Sequence, residues 1–377
     1  MPDSVVPEGT LAAPKNAVTR RHLLAAFATG SVGGAAIASG ITRANSSSNA
    51  ALPAPAPPRL TSATNALASF KAPRQSHTAI VEYRLIDPKD MDSLHRLMSI
   101  WQQFLNFIEG DTPTAAIDTV TETILTDVIA ENASISVGYG ENVSTILYPQ
   151  TNSRFREVEV SARDQAAGDL FVQVCSNDFR SAWEIVRTLT ALSIGRAEPR
   201  FTHFGSVDSR QAGPAPRNTF GFHDGITDAA GGAITPPDHD LRMEFDRPAS
   251  GSLGGTFMIF RQLRLAVERW DTESLSRQEQ IIGRSKATGV PLKGVHDSHV
   301  ALMSSAATRI LRRPYSYTYG PIPNGGIDAG MLFIAYAGRP NSLVKLAELA
   351  LSSDPVARYV HDIDGGLYFF PDRPWDQ

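Results

Sequence analysis

Two segments of this 377-residue chain, Gly168-Asp169-Leu170-Phe171-Val172 and Gly330-Met331-Leu332-Phe333-Ile334, read as one strand written twice, and each runs on into a helical pattern. Their surroundings repeat as well. In the first half, 77–86 alternates polar and apolar residues as a strand does. Asp90 then caps a helix that lines up Leu94, Leu97, Met98, Trp101, Leu105 and Ile108 on one face. Strands at 133–137 and 170–175 and a helix at 180–192 complete that half. The second half runs strand (256–267), helix (274–282), strand (331–337), helix (342–351) and strand (367–370). This order predicts an α+β fold of two halves, each an antiparallel sheet with helices on one face. Two such sheets set back to back would bury their apolar faces, and a cavity for a large ligand is expected near their junction.

Composition excludes several function classes. At 42% hydrophobic and 20% charged the chain is neither disordered nor a coiled coil. Its 35 Lys+Arg against 39 Asp+Glu leave no broad basic field for nucleic acid. A single cysteine, Cys175, rules out internal disulfides and Cys-rich metal sites, so metal chemistry must run through the 9 histidines and the carboxylates.

The N-terminus reads as an address. Thr19-Arg20-Arg21-His22-Leu23-Leu24 opens a stretch without formal charge from Leu23 to Thr42, weakly apolar through its glycines and alanines. A paired arginine before a mild apolar region and small residues (Ala36-Ile37-Ala38) is the twin-arginine export pattern. Cleavage after Ala38 or Ala44 fits that pattern. A Ser/Ala/Pro-rich linker, extended and unpacked at 45–59, follows. The organisation expected is a signal region (1–44), a linker (45–75), an N-terminal half (76–215) and a C-terminal half (216–377). The destination is periplasmic or extracellular, and the route carries proteins already folded around a cofactor.

The chemistry gathers between 217 and 320. Asn218-Thr219-Phe220-Gly221-Phe222-His223-Asp224-Gly225-Ile226-Thr227-Asp228 presents one carboxylate in a tight loop beside backbone N–H groups; alone, it reads as an Asx-turn. Leu253-Gly254-Gly255-Thr256 is a strand entry. Ile282-Gly283-Arg284-Ser285-Lys286 could meet an anionic group or form a solvated helix end. Asp297-Ser298-His299-Val300 and Leu311-Arg312-Arg313-Pro314-Tyr315-Ser316-Tyr317 complete the set. A histidine able to ligate iron from one side, with an aspartate and an arginine on the other, is what haem peroxidase chemistry requires. Peroxide needs a base to take a proton and return it, and the parting O–O bond needs a fixed cation.

On these residues the chain resembles the dye-decolourising peroxidases, haem peroxidases of the dimeric α+β barrel type with duplicated ferredoxin-like halves. The resemblance spans about residues 76–371 and is most specific in the GxxDG signature at Gly221-Phe222-His223-Asp224-Gly225, with Ser298-His299-Val300 and Leu311-Arg312-Arg313 beside it. It implies Asp224 as distal acid/base, Arg312 as distal cation and His299 as the iron ligand of one haem b per chain. It also implies that Gly225, Ile226 and Thr227 touch the haem edge and that Arg284 pairs a propionate. Arg358 stands where the family's acidic partner of the imidazole is expected, and Asp354 and Asp362 are the carboxylates able to take its place. The partners implied are hydrogen peroxide, a bulky phenolic or dye-like reductant and the twin-arginine machinery, with room for a homo-oligomer. The leader adds a likeness to exported members linked to iron uptake, so haem binding for iron acquisition (a deferrochelatase-like role) is the alternative. Trp270, Tyr315, Tyr317 and Tyr319 could relay electrons to the surface, although aromatic residues in this number more often fill a core.

Overall fold

The structure, a computed structural model, describes residues 70, 74–108, 133–156, 167–207, 217–223, 238–241, 243–245, 253–306, 310–323 and 325–372. The signal region, most of the linker and Asp224 to Thr227 therefore lie outside the described residues. Strands β1 (His77–Leu85), β2 (Ser134–Tyr139), β3 (Leu170–Ser176) and β4 (Ala197–Ser206) form the first half, with helices α1 (Met91–Ile108) and α2 (Phe179–Leu192). The short β5 (Met243–Phe245), β6 (Leu253–Leu265) and helices α3 (Leu275–Ile282) and α4 (His299–Ala306) open the second. It continues through β7 (Leu311–Arg312), β8 (Tyr315–Ile322), β9 (Gly326–Ala337), helix α5 (Pro340–Ser352) and β10 (Val360–Pro371).

Both halves are wound alike. The first has strand order β2-β3-β1-β4 and the second β8-β9-β6-β10, the ferredoxin-like order repeated, with every pairing antiparallel. The halves join twice, through Phe369 opposite Tyr139 and Ser206 opposite Ser316. Because β6 also pairs with β9, eight strands run β6-β10-β2-β3-β1-β4-β8-β9 and back to β6. The sheets thus close on one another into a barrel, which removes exposed sheet edges. Aromatic and aliphatic side chains fill its interior, among them Phe171, Phe260, Leu332, Tyr336, Tyr368 and Phe370.

Helices cover the outer faces. In α1 the buried face is Leu94, Leu97, Met98, Trp101, Phe104 and Leu105, with Ile108 partly buried against the same core. Asp178 caps α2 by accepting the N–H groups of Arg180 and Ser181, which leaves its apolar face on β1 and β3. Two described residues of the 45–75 segment, past its Ser/Ala/Pro-rich part, are packed on the barrel. Phe70 is buried in the barrel, stacked on Tyr336 at 3.9 Å, and Arg74 donates to the Pro314 carbonyl at 2.9 Å.

Candidate functional site

The cavity is not at the junction of the two sheets. It lies on the outer face of the second sheet, under α4 and α5, with a volume of about 110 Å³ and one side open to solvent. Leu263, Met331 and Phe333 form its sheet wall, and Met303, Leu346 and Ala350 its helix wall. Polar groups are few: His299, Arg312, Arg261, Asp354 and Asp362. The sheets cannot hold this cavity between them, because their inner faces are filled by the barrel's own aromatic side chains.

His299 stands at the start of α4, and the local sequence explains why. Ser298 is buried and its Oγ accepts the Ala301 N–H at 3.3 Å, an N-cap. Gly283 ends α3 in the left-handed region, φ +88°, and a Cβ there would stand 2.2 Å from Ser298 Oγ. Glycine is thus required for α3 and α4 to meet. The Nδ1 atom of His299 is hydrogen-bonded to Oδ2 of Asp354, whose side chain is buried. Asp354 also accepts the Val356 N–H at 2.9 Å, so its position is set by the turn that follows α5. A carboxylate on Nδ1 selects the tautomer that leaves Nε2 as the ligating nitrogen and raises its basicity. Of the sequence candidates for this partner, Asp354 takes the place; Arg358 turns to the Pro355 carbonyl and Asp362 pairs with Arg261.

Arg312 lies on β7 opposite Ala335 and lines the same cavity. Its neighbour Arg313 goes the other way, buried, with Nη1 donating to the Phe70 carbonyl inside the barrel. Successive residues of an extended chain leave on opposite faces, which separates two arginines the sequence places together.

The other candidates are not brought here. Arg284 is buried but is not among the cavity-lining residues; it donates to the Gly289 carbonyl at 3.2 Å and holds the turn between residues 284 and 291. Lys286 bonds Gln278 at 2.7 Å and sits over the Phe222 ring. The ring of His223 packs beside Gly289, away from the cavity lining. Trp270 is buried in a separate cluster with Phe220, Phe222 and Tyr359. Tyr315 and Tyr317 are buried, with Tyr319 exposed beside Tyr317 at 4.5 Å. An apolar slot that presents a carboxylate-anchored imidazole and the Arg312 guanidinium, with Arg261 already paired to Asp362, offers the donor set for a haem iron.

Known proteins agree with that fit. Residues 215–374 match the family model described as Dyp-type peroxidase, C-terminal. Deferrochelatase of Escherichia coli K12 is 25% identical over 80% of this chain and 81% of its own length. DtpA from Streptomyces lividans, solved as an oxyferrous complex, shares the fold with a TM-score of 0.64 at 22% identity, over 80% of this chain and 90% of that one. A DypB variant from Rhodococcus jostii in complex with heme gives 0.56 at 20% identity, over 80% and 94%.

Proposed function

We propose that this chain, which belongs to the Dyp-type peroxidase family, is a haem peroxidase that uses hydrogen peroxide to oxidise bulky phenolic or dye-like compounds. The reading is carried by one observation: His299, anchored by buried Asp354, shares an apolar cavity with Arg312. Haem b, one per chain, would supply redox-active iron to the reaction with peroxide when bound. His299 holds it through Nε2, since Nδ1 is committed to Asp354. Asp224 takes a proton from one peroxide oxygen and returns it to the departing one. Arg312, charged at every working pH, stabilises the oxygen on which negative charge gathers. The backbone of Gly225, Ile226 and Thr227 belongs, in this reading, to the cofactor's rim, whereas Arg284, held on the Gly289 carbonyl, keeps no part in it. The two halves are 76–215 and 216–377, and Arg20-Arg21 directs the folded chain to the twin-arginine route and out of the cytoplasm.

Purified protein should show a Soret band, and His299→Ala should lose it. An unchanged band at full occupancy in His299→Ala would move the ligand elsewhere and overturn this assignment. A second reading, haem binding for iron acquisition, is favoured by deferrochelatases matching 80% of the chain. Steady peroxide turnover without free iron supports the peroxidase; iron release from haem without turnover supports the alternative.

A further inference from the structure

Inside the barrel, away from the cavity, three buried side chains converge. Glu82 on β1, His203 on β4 and Asp364 on β10 each offer a ligand atom, and these atoms lie within 4.8 Å of one another. All three residues are at most 3% exposed. Each keeps one buried atom without a hydrogen-bond partner among the described residues: Oε1 of Glu82, Nε2 of His203 and Oδ2 of Asp364. Three such orphans in one place are unusual, because a buried polar group left unpaired costs about 1–3 kcal/mol or more when charged.

The other atoms of the trio are engaged. Oε2 of Glu82 accepts from Tyr368 Oη at 2.6 Å, from Arg200 Nη1 at 3.3 Å and from the Gly168 N–H at 3.4 Å. Oδ1 of Asp364 accepts from the Gly365 N–H at 2.9 Å and from Arg200 Nη2 at 3.4 Å. His203 Nδ1 lies 3.2 Å from Tyr319 Oη; donating there leaves a lone pair on Nε2. Ionised, the two carboxylates face one guanidinium and leave one negative charge over.

Both carboxylates sit at breaks in strand register. The β1–β4 register shifts between Glu82 and Tyr83, and that of β10–β6 between Asp362 and Asp364. The second break puts Asp362 on the outer cavity and Asp364 in the barrel, where a regular strand would hold both on one face.

We propose that Glu82, His203 and Asp364 bind a divalent transition-metal ion, zinc or manganese by donor type, that clamps the two halves of the barrel together. One imidazole nitrogen with two carboxylate oxygens suits such ions. Ligand atoms about 2.1 Å from one tetrahedral ion stand about 3.4 Å apart, so a separation as wide as 4.8 Å closes by about 1.4 Å, shared between side chains that can turn. Glu82 and His203 come from the first half and Asp364 from the second, which makes the ion a cross-link. Arg200, with its side chain 19% exposed, and exposed Tyr319 mark the way in.

The test uses the full haem-loaded protein, treated with chelator, desalted and titrated separately with zinc and manganese ions, with bound metal counted by mass spectrometry. One equivalent of zinc or manganese per chain and a rise in Tm on loading are expected. Asp364→Asn should weaken binding at least ~100-fold, since losing even an outer partner of a ligand costs 10–100-fold. His203→Gln provides the same reading if Asp364→Asn does not fold. Glu198→Gln, which removes an exposed carboxylate of β4 outside the trio, should bind the ion unchanged. Failure of the wild type to retain either metal, or equal binding in the variants of the trio, overturns the proposal, as does loss of the ion in Glu198→Gln alone.

Discussion

Replacing Arg312 by leucine should separate two arginines that differ by one position and by everything they touch. Arg312 lines the cavity, whose walls around it are leucine, methionine and phenylalanine, while Arg313 donates to a backbone carbonyl within the barrel. A guanidinium about 4 Å from a developing oxyanion is worth about 4 kcal/mol at an effective dielectric of about 20. The solvent-open side of the cavity trims that, and loss of one preorganised donor in a catalytic site costs about 3–4 kcal/mol. Arg312→Leu is therefore expected to keep its haem and to react with peroxide ~100–1000-fold more slowly. Stopped-flow mixing with hydrogen peroxide, following the Soret change, reads this directly. Arg313→Leu is the control. It removes a charged hydrogen bond worth about 1.5–3 kcal/mol and should lower Tm while the reaction with peroxide keeps its rate. A wild-type rate in Arg312→Leu, or the rate loss appearing in Arg313→Leu at unchanged Tm, would refute the assignment of the distal cation.

Asp354→Asn should retain haem but raise the midpoint potential of the bound iron, because a neutral amide makes His299 a weaker donor and favours the ferric state less. Spectroelectrochemistry checks it, and a potential equal to that of the wild type would reduce Asp354 to a packing residue. Replacing Arg20 and Arg21 by lysines should hold the folded, haem-loaded protein in the cytoplasm; fractionation that finds normal export would remove the twin-arginine reading.

What could be read in the chain was what local pattern encodes. Alternation and apolar runs marked β1, β3, β6 and β9, and the 3.6-residue period marked α1, α2 and α5 within a few residues of their observed ends. Strand β4 escaped because its inward positions carry His203 rather than an apolar side chain, so burial along it has no clean alternation. Strand β8, Tyr315–Ile322, drew notice for its tyrosines as electron carriers and not as a strand, and it turned out to pair with β9 along its length. Helix α4 carries no helical period in the sequence, because its apolar and polar residues are not divided between two faces. His299 and Arg312 were legible as residue types in a motif. Their shared cavity was not, and neither was the bond from His299 to Asp354, since side chains 55 positions apart meet only when α5 folds back under α4. Composition and periodicity determined two α+β halves and a short set of candidate residues. Tertiary structure alone decided that the sheets close face to face, that the cavity lies outside them, and that Arg312 and Arg313, like Asp362 and Asp364, serve opposite faces. The reason is physical: which side of a strand a residue occupies depends on register and bulges, and these are set by the neighbouring strand rather than by the residue's own sequence.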